Sequence, residues 1–450
     1  VNGEPIYTIS GNDEKQQWKS CYPCVADVDG TYEIALCYIK DDGTNVGDDT
    51  VYVKNMRIVG TDKIDAPTYI PRDAATSKDG FEFEYVNIVY NEKMKNFGFG
   101  LMRLPMNGEE VDIEQVKKMT DRFLEEGFTY FDTAHPYING KSEPAIREAL
   151  VKRYPRESFL LADKLSPSSF NKEEDIRPVV DEMLEACGVE YFDYFLMHAQ
   201  SSNNYQKYCD CRAYEIGAEL KAEGKIRHLG FSFHDSAEFL EKILTEKPMV
   251  EFVQLQFNYV DYEDDEVQAR KCLEVCRKFG KDVIVMEPVR GGSLVALPEE
   301  AKNLLEATGK SCAEYAVRYA ASHEGIIMVL SGMSSLEQLE ENIAFMKDFQ
   351  PLNEEEFALL DKAVEIIRSV ETIPCTSCKY CTEVCPKDIA IPRIFGVLNE
   401  IKIYDKEHTW IPPFGERAAS NCIKCGKCEK ACPQHIEIRK YLEEAAKTIE

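Results

Sequence analysis

Basic residues are in short supply: 53 lysines and arginines stand against 80 aspartates and glutamates, a net charge of −27. A field of that sign repels phosphate backbones and excludes nucleic acid as a partner. No run of about 18 apolar residues occurs, so nothing here spans a membrane as a helix. No charged-then-apolar leader opens the chain, and Val1 in place of methionine points to a trimmed or incomplete N-terminus. Missing too is the G-x-G-x-x-G that cradles phosphate after the first strand of an open dinucleotide-binding sheet; FGFGLMRLP stands there instead. What remains, at 450 residues with 44% hydrophobic and 30% charged, is a soluble globular protein of two or three domains.

Cysteine, by contrast, is abundant. Eight of the 17 fall in two runs, CTSCKYCTEVCP and CIKCGKCEKACP, each reading C-x2-C-x2-C-x3-C-P. Clustered thiolates in a large chain fit a reducing cytosol, hence a cytoplasmic location, better than a disulfide framework. The spacing is that of bacterial ferredoxins, in which three close cysteines bind one 4Fe–4S cluster and the fourth serves the other. On that pattern Cys375, Cys378, Cys381 and Cys432 hold one cluster, and Cys422, Cys425, Cys428 and Cys385 the second. Zinc, the alternative, prefers two separated pairs. Cys21 and Cys24 (CYPC) sit among strand-like residues with no helix pattern following, so ordinary thiols are expected there.

Residues 1–84 alternate polar and apolar positions between turns such as DDG and KDG, and read as a small antiparallel β segment, an incomplete sandwich. From there to residue 365 short apolar strands alternate with amphipathic helices. The strands are NFGFGLM, TYFDTAH, FLLADKL, FDYFLMHA, HLGFSFH, FVQLQFN, VIVMEPV and IIMVLSG. Eight β–α alternations predict a closed (β/α)8 TIM barrel, an α/β fold, with the cysteine-rich 366–450 as an α-helical, ferredoxin-like iron–sulfur domain.

In such a barrel chemistry gathers at the C-terminal ends of the strands. Asp132, Tyr137, Lys164, His198, Ser232, His234, Gln254, Asn258 and the Arg290–Gly291–Gly292 run stand there. Taken singly, each is explained by packing or solvation; their recurrence at one end of successive strands is not. A tyrosine is a weak acid at neutral pH, with an ordinary pKa of about 10. A neighbouring cation stabilises its phenolate, and a carboxylate fixes the cation. The expected roles are Tyr137 as proton donor, Lys164 as the neighbour that lowers its pKa, Asp132 as counter-ion and His198 as the donor that orients a carbonyl.

GFTYFDTAHPYINGKSEPAIREAL resembles the D-T-A-x-x-Y…S-E signature of aldo-keto reductases, and LLADKL, YFLMH, GKIRHLGFSFH and VLSGMSSLEQLEEN follow in that family's order. With its tail the chain resembles the ferredoxin-fused branch. The resemblance implies the tetrad Asp132, Tyr137, Lys164 and His198. It also implies Ser232 and Gln254 on a nicotinamide carboxamide, the Arg290–Gly291–Gly292 loop near the pyrophosphate, and Gly332, Met333, Ser334, Gln338 and Asn342 around the adenosine. Met286 replaces the aromatic ring often found over the nicotinamide, and Phe233 replaces an asparagine. Ser334 and Gln338 supply no cation for a 2′-phosphate, which favours NADH over NADPH.

A nicotinamide passes hydride, whereas clusters pass single electrons, and conversion between the two ordinarily takes a flavin. No flavin fingerprint is readable, though barrels bind flavin without one. The clusters therefore either connect the barrel to an external ferredoxin or flavoprotein, the favoured alternative, or clamp the tail. The expected activity is NAD(P)H-dependent reduction of a small aldehyde or ketone, or its reverse. The rivals are a nicotinamide-to-partner electron-transfer module and a redox-sensing binding protein with an idle tetrad.

Overall fold

The computed structural model of the protein describes residues 96–404 and 409–449, with four short strands ahead of them. Of the expected N-terminal β segment only Met56–Ile58, Thr68–Ile70, Asp73–Ala74 and Phe83–Glu84 are described, the last two pairing antiparallel. Cys21, Cys24 and the rest of that segment lie outside the described residues. The barrel and the cysteine-rich tail belong to one compact unit.

Eight parallel strands close into the expected barrel: β1 (Phe97–Gly100), β2 (Tyr130–Asp132), β3 (Leu160–Leu165), β4 (Phe192–Gln200), β5 (Ile226–Phe233), β6 (Phe252–Gln256), β7 (Asp282–Met286) and β8 (Ile326–Gly332). Each pairs with its sequence neighbours, and β8 pairs β1 to close the ring. Strand side chains alternate between two faces. One series, with Tyr130, Ala162, Tyr194, Leu196, Phe252, Ile284, Met328 and Leu330, fills the barrel's interior as a separate cluster. The other, with Phe131, Leu161, Phe195, Phe231, Val253 and Val285, packs outward under the helices. Gly230 belongs to the interior series; a Cβ there would meet the Phe252 ring at 2.6 Å, so the ring takes the space a side chain would need.

Period-3.6 stripes bury the helices against the sheet. Helix α1 (Ile113–Glu125) begins where the Asp112 side chain accepts from the Gln115 amide, and it buries Val116, Met119 and Phe123. Phe123 meets Phe97, Phe99, Phe128 and Phe131 with ring centroids 5.1–5.9 Å apart. The stretch SSNNYQKYCDCRAY carries a short helix, Tyr205–Asp210. Its buried Tyr205 and Tyr208 drive it onto the barrel's rim.

The tail has its own core. The segment between the cysteine runs forms a helix, Ile391–Tyr404, whose Ile394, Phe395, Val397 and Leu398 pack with Ile438, Leu442 and Ala445 of the last helix, Ile438–Thr448.

Candidate functional site

Strand alternation places the site. Asp132 follows Tyr130 by two residues, Lys164 follows Ala162, His198 follows Leu196, Ser232 follows Gly230 and Gln254 follows Phe252. All five thus inherit the interior direction and meet at the C-terminal end of the barrel. In register, Asp132 pairs Ala162, Lys164 pairs Leu196 and Ser232 pairs Gln254.

Lys164, with 0% of its surface exposed, donates to Asp132 Oδ1 at 2.5 Å, to the Thr133 carbonyl at 2.7 Å and to the Tyr137 hydroxyl at 3.2 Å. Its ammonium also lies 4.7 Å from the Tyr137 ring centre. Gln254 Nε2 donates to the other Asp132 oxygen at 3.2 Å. The loop carrying Tyr137 is pinned from behind, since Ser142 Oγ donates to the Leu101 carbonyl and shares a 2.8 Å hydrogen bond with Thr133. His198 is held at three points. Ser166 Oγ lies 2.6 Å from Nδ1, and the Tyr208 hydroxyl donates to the His198 carbonyl at 2.9 Å. Ala199, in left-handed backbone at φ 51°, donates its N–H to Ser232 Oγ at 2.7 Å.

The electrostatics correct one expectation. The Tyr137 phenol stands well above its ordinary value, not below it, because burial raises it and the Asp132 carboxylate adds to the rise. Burial likewise raises Asp132 against the pull of Lys164. It depresses His198 well below the ordinary imidazole value, with Lys164 and His234 contributing, so the ring is neutral at physiological pH.

A residue no motif announced joins the group. Tyr380, between the second and third cysteines of the first run, lies with its hydroxyl 2.9 Å from His198 Nε2. Its ring meets the imidazole edge-on at 5.8 Å, much as Tyr137 does at 5.9 Å. The same cysteine loop touches the barrel again where Arg103 donates to the Thr376 carbonyl at 2.5 Å. From the second run, Gln434 and Gln256 exchange amide hydrogen bonds of 2.6 and 3.1 Å.

The other expected cofactor residues fall into two groups. Gly332, Met333, Ser334, Gln338 and Asn342 gather where β8 meets the helix Leu336–Met346. There Asn342 donates to Ser331, Ser334 donates to the Arg103 carbonyl, and Gln338 accepts from the Ser334 amide. The Arg290–Gly291–Gly292 loop is covered by the tail: a Cβ on Gly291 would stand 2.3 Å from the Thr376 carbonyl oxygen. Arg290 is engaged in an ion pair with the buried Asp261 at 2.9 Å.

The two cysteine runs fold alike. Ser377 and Lys379 in one, and Lys424 and Gly426 in the other, adopt positive φ at matching positions. Amides turn toward sulfur in both, from Ser377 to Cys375, from Tyr380 to Cys378, from Lys424 to Cys422, and from Gln434, His435 and Ile436 to Cys432. Cys375, Cys378, Cys381 and Cys432 are mutual electrostatic neighbours. Cys385, Cys422, Cys425 and Cys428 line a single cavity walled by tail residues alone. These are the two sets that the spacing suggested. Thiols ringed by amide donors suit a sulfur-rich anionic cluster.

Residues 96–365 match the Aldo/keto reductase family, and residues 374–437 match the 4Fe-4S dicluster domain. The chain is 26% identical over 263 residues to the NADH-specific methylglyoxal reductase of Escherichia coli, covering 48% of this chain and 78% of that protein. It is also 26% identical over 281 residues to the L-galactose dehydrogenase of Arabidopsis thaliana, covering 58% and 86%. A shorter match, 30% over 74 residues, joins it to a component of the ion-translocating oxidoreductase complex of Buchnera aphidicola, with 16% and 14% covered. Among solved structures, an aldo-keto reductase from Klebsiella pneumoniae in complex with NADPH superposes with a TM-score of 0.50 at 22% identity, covering 60% of this chain and 90% of that one. One from Bacillus halodurans superposes with a TM-score of 0.50 at 24% identity, covering 65% and 95%.

Proposed function

The chain belongs to the aldo/keto reductase family, and from that premise we propose that it reduces a small aldehyde or ketone with NADH, Tyr137 giving the proton. The observation that carries this reading is the contact set of Lys164, which touches Asp132 and Tyr137 at once inside a closed barrel.

Each residue's part follows from its surroundings. The elevated phenol pKa keeps Tyr137 protonated across neutral pH, so the donor is loaded. Lys164, 3.2 Å away, stabilises the phenolate left when the proton reaches the carbonyl oxygen. Asp132 holds the ammonium in place through the 2.5 Å bond. His198 is neutral, and in the tautomer in which Ser166 donates to Nδ1 its Nε2 carries the proton that polarises a carbonyl. Ser232 and Gln254 fit a carboxamide, since the Ser232 hydroxyl accepts from Ala199 and keeps its own proton to give. A nicotinamide held there supplies the hydride that adds to the carbonyl carbon, and carbonyl plus hydride plus the Tyr137 proton makes the alcohol. Arg290, already paired with Asp261, does not fit a pyrophosphate ligand. Ser334 and Gln338 hydrogen-bond each other beside Glu337 and Glu340 and offer no cation to a 2′-phosphate, in keeping with NADH.

The cysteine sets support a second, added role. Cys375, Cys378, Cys381 and Cys432 would hold one 4Fe–4S cluster near Tyr137, and Cys385, Cys422, Cys425 and Cys428 another in a cavity walled by tail residues alone. Bound clusters would supply one-electron chemistry, which a ferredoxin or flavoprotein partner would exchange with the chain. Replacing Tyr137 with phenylalanine tests the main reading. Tyr137→Phe keeps the ring and removes the proton donor, and turnover of a carbonyl panel falls by about 10²–10⁴-fold while NADH binding is retained. Unchanged turnover contradicts the assignment.

A further inference from the structure

We propose that Tyr380 is an internal occupant of the carbonyl site: a tyrosine delivered by the cysteine-rich tail whose hydroxyl takes the place of the substrate oxygen at His198. A carbonyl compound then gains access to Tyr137 only by exchanging with it. The inference rests on the carbonyl-reductase reading and goes beyond it, because it makes the tail part of the catalytic cavity and the arbiter of which substrates enter.

Three observations carry it. First, the Tyr380 hydroxyl sits 2.9 Å from Nε2, the nitrogen that the mechanism assigns to the substrate oxygen. An oxygen in hydrogen-bonding contact there leaves no room for a second one on the same donor. Second, the ring meets the imidazole edge-on at 5.8 Å, as Tyr137 does at 5.9 Å, so both phenols pack against His198.

Third, the placement is built. Lys379, at φ 70°, turns the chain so that Tyr380 opens the short helix Tyr380–Glu383 facing the barrel. On one side the loop is tied down by the Arg103–Thr376 hydrogen bond and by Gly291, whose missing side chain lets the Thr376 carbonyl approach. On the other side the reciprocal Gln256–Gln434 amide pair anchors the second run. These anchors hold the loop against the barrel without involving the Tyr380 side chain.

The exchange trades one hydrogen bond for another. A substrate that brings only an oxygen acceptor to His198 must first break the contact with Tyr380, so removing the Tyr380 hydroxyl lowers the concentration of substrate needed without touching the proton donor. Chemistry on the bound substrate is unchanged, which puts the effect in KM and leaves kcat alone.

The test uses full-length, cluster-loaded protein prepared without oxygen, with methylglyoxal and NADH as probes and iron measured in every form. Tyr380→Phe keeps the ring and deletes the hydroxyl, and KM for methylglyoxal falls about fivefold; Tyr380→Ala opens the space, and KM falls about tenfold, with kcat within about twofold in both. A second readout does not depend on turnover. Diethyl pyrocarbonate modifies accessible neutral imidazoles, and mass spectrometry of the His198 peptide shows it shielded in the parent protein, labelled in Tyr380→Ala and protected again by methylglyoxal. If Tyr380→Ala loses iron, Tyr380→Phe with full iron decides the matter. KM unchanged or raised in the phenylalanine form, or His198 labelled equally in parent and variants, overturns the proposal. Tyr137→Phe is run alongside. If it is inactive while the Tyr380 variants match the parent, only the occupant idea fails; if it turns over like the parent, or no form turns over, the carbonyl reading fails and takes the proposal with it.

Discussion

Replacing Lys164 with methionine tests whether the buried ion pair organises the site. The ammonium is 0% exposed and its partner Asp132 3% exposed, so water cannot compensate either charge. Methionine fills similar volume but leaves Asp132 with only the 3.2 Å bond from Gln254, and the Thr133 carbonyl loses its 2.7 Å donor. Stranding one partner of a buried pair costs about 3–5 kcal/mol. At roughly 2–4 °C per kcal/mol for a domain of this size, the midpoint of thermal unfolding falls by about 10 °C. The loss depends on pH with a definite sign. Without the ammonium, burial raises the Asp132 carboxyl further above its unfolded value, and a group with a raised folded pKa stabilises at low pH and loses that contribution as pH rises. The deficit of Lys164→Met therefore shrinks from pH 8 to pH 5. Adding Asp132→Asn removes the stranded charge and restores about half of the loss. Calorimetry of cluster-loaded protein reads all three forms. A fall below about 3 °C, a deficit indifferent to pH, or no rescue by asparagine refutes the reasoning.

Two further outcomes follow from the same surroundings. His198 and His323 are pushed below their ordinary value by burial, and His234 down to about 4, so each binds a proton less well folded than unfolded. Their contribution is present above the unfolded value near 6.5 and is lost as pH falls, at up to about 1.4 kcal/mol per pH unit for each, so the unfolding midpoint drops between pH 6.5 and 4.5. A midpoint that rises on acidification contradicts this. Cys381→Ser removes a ligand from the set with Cys375, Cys378 and Cys432 and spares Cys385, Cys422, Cys425 and Cys428, so about half of the iron is lost. Unaltered iron and an unaltered cluster spectrum would show the pairing to be wrong.

What could be read from the chain was whatever is periodic. Strand alternation carries Tyr130 to Asp132 and Ala162 to Lys164, so the interior direction of Asp132, Lys164 and His198 is written in the same two-residue rhythm as the barrel core. The doubled cysteine spacing likewise encodes its own grouping. Tyr380 was not legible, because its partner His198 lies 182 positions away and neither belongs to a shared pattern. The Arg103–Thr376 contact spans 273 positions for the same reason. The sign of the Tyr137 shift was misread because motif spacing reveals the cation beside the phenol but not the depth of burial around both. The Arg290–Gly291–Gly292 run marked a loop near a pyrophosphate, but its spacing gave no sign of Asp261, supplied by the β6 loop 2.9 Å from the Arg290 guanidinium. The one signal that could have found Tyr380 was its position inside a ligand loop, where an aromatic ring is not needed to hold a cluster.

The central claim is that hydride from a nicotinamide and a proton from Tyr137 meet on one carbonyl at the barrel's mouth. NADH deuterated at the transferring position of its ring, turned over with methylglyoxal by cluster-loaded protein, measures this through the mass of the alcohol. The account predicts one deuterium, bonded to the former carbonyl carbon, with the label dependent on the hydroxyl of Tyr137. Alcohol whose new carbon-bound hydrogen comes from solvent, or NADH oxidation with no alcohol formed, would contradict it.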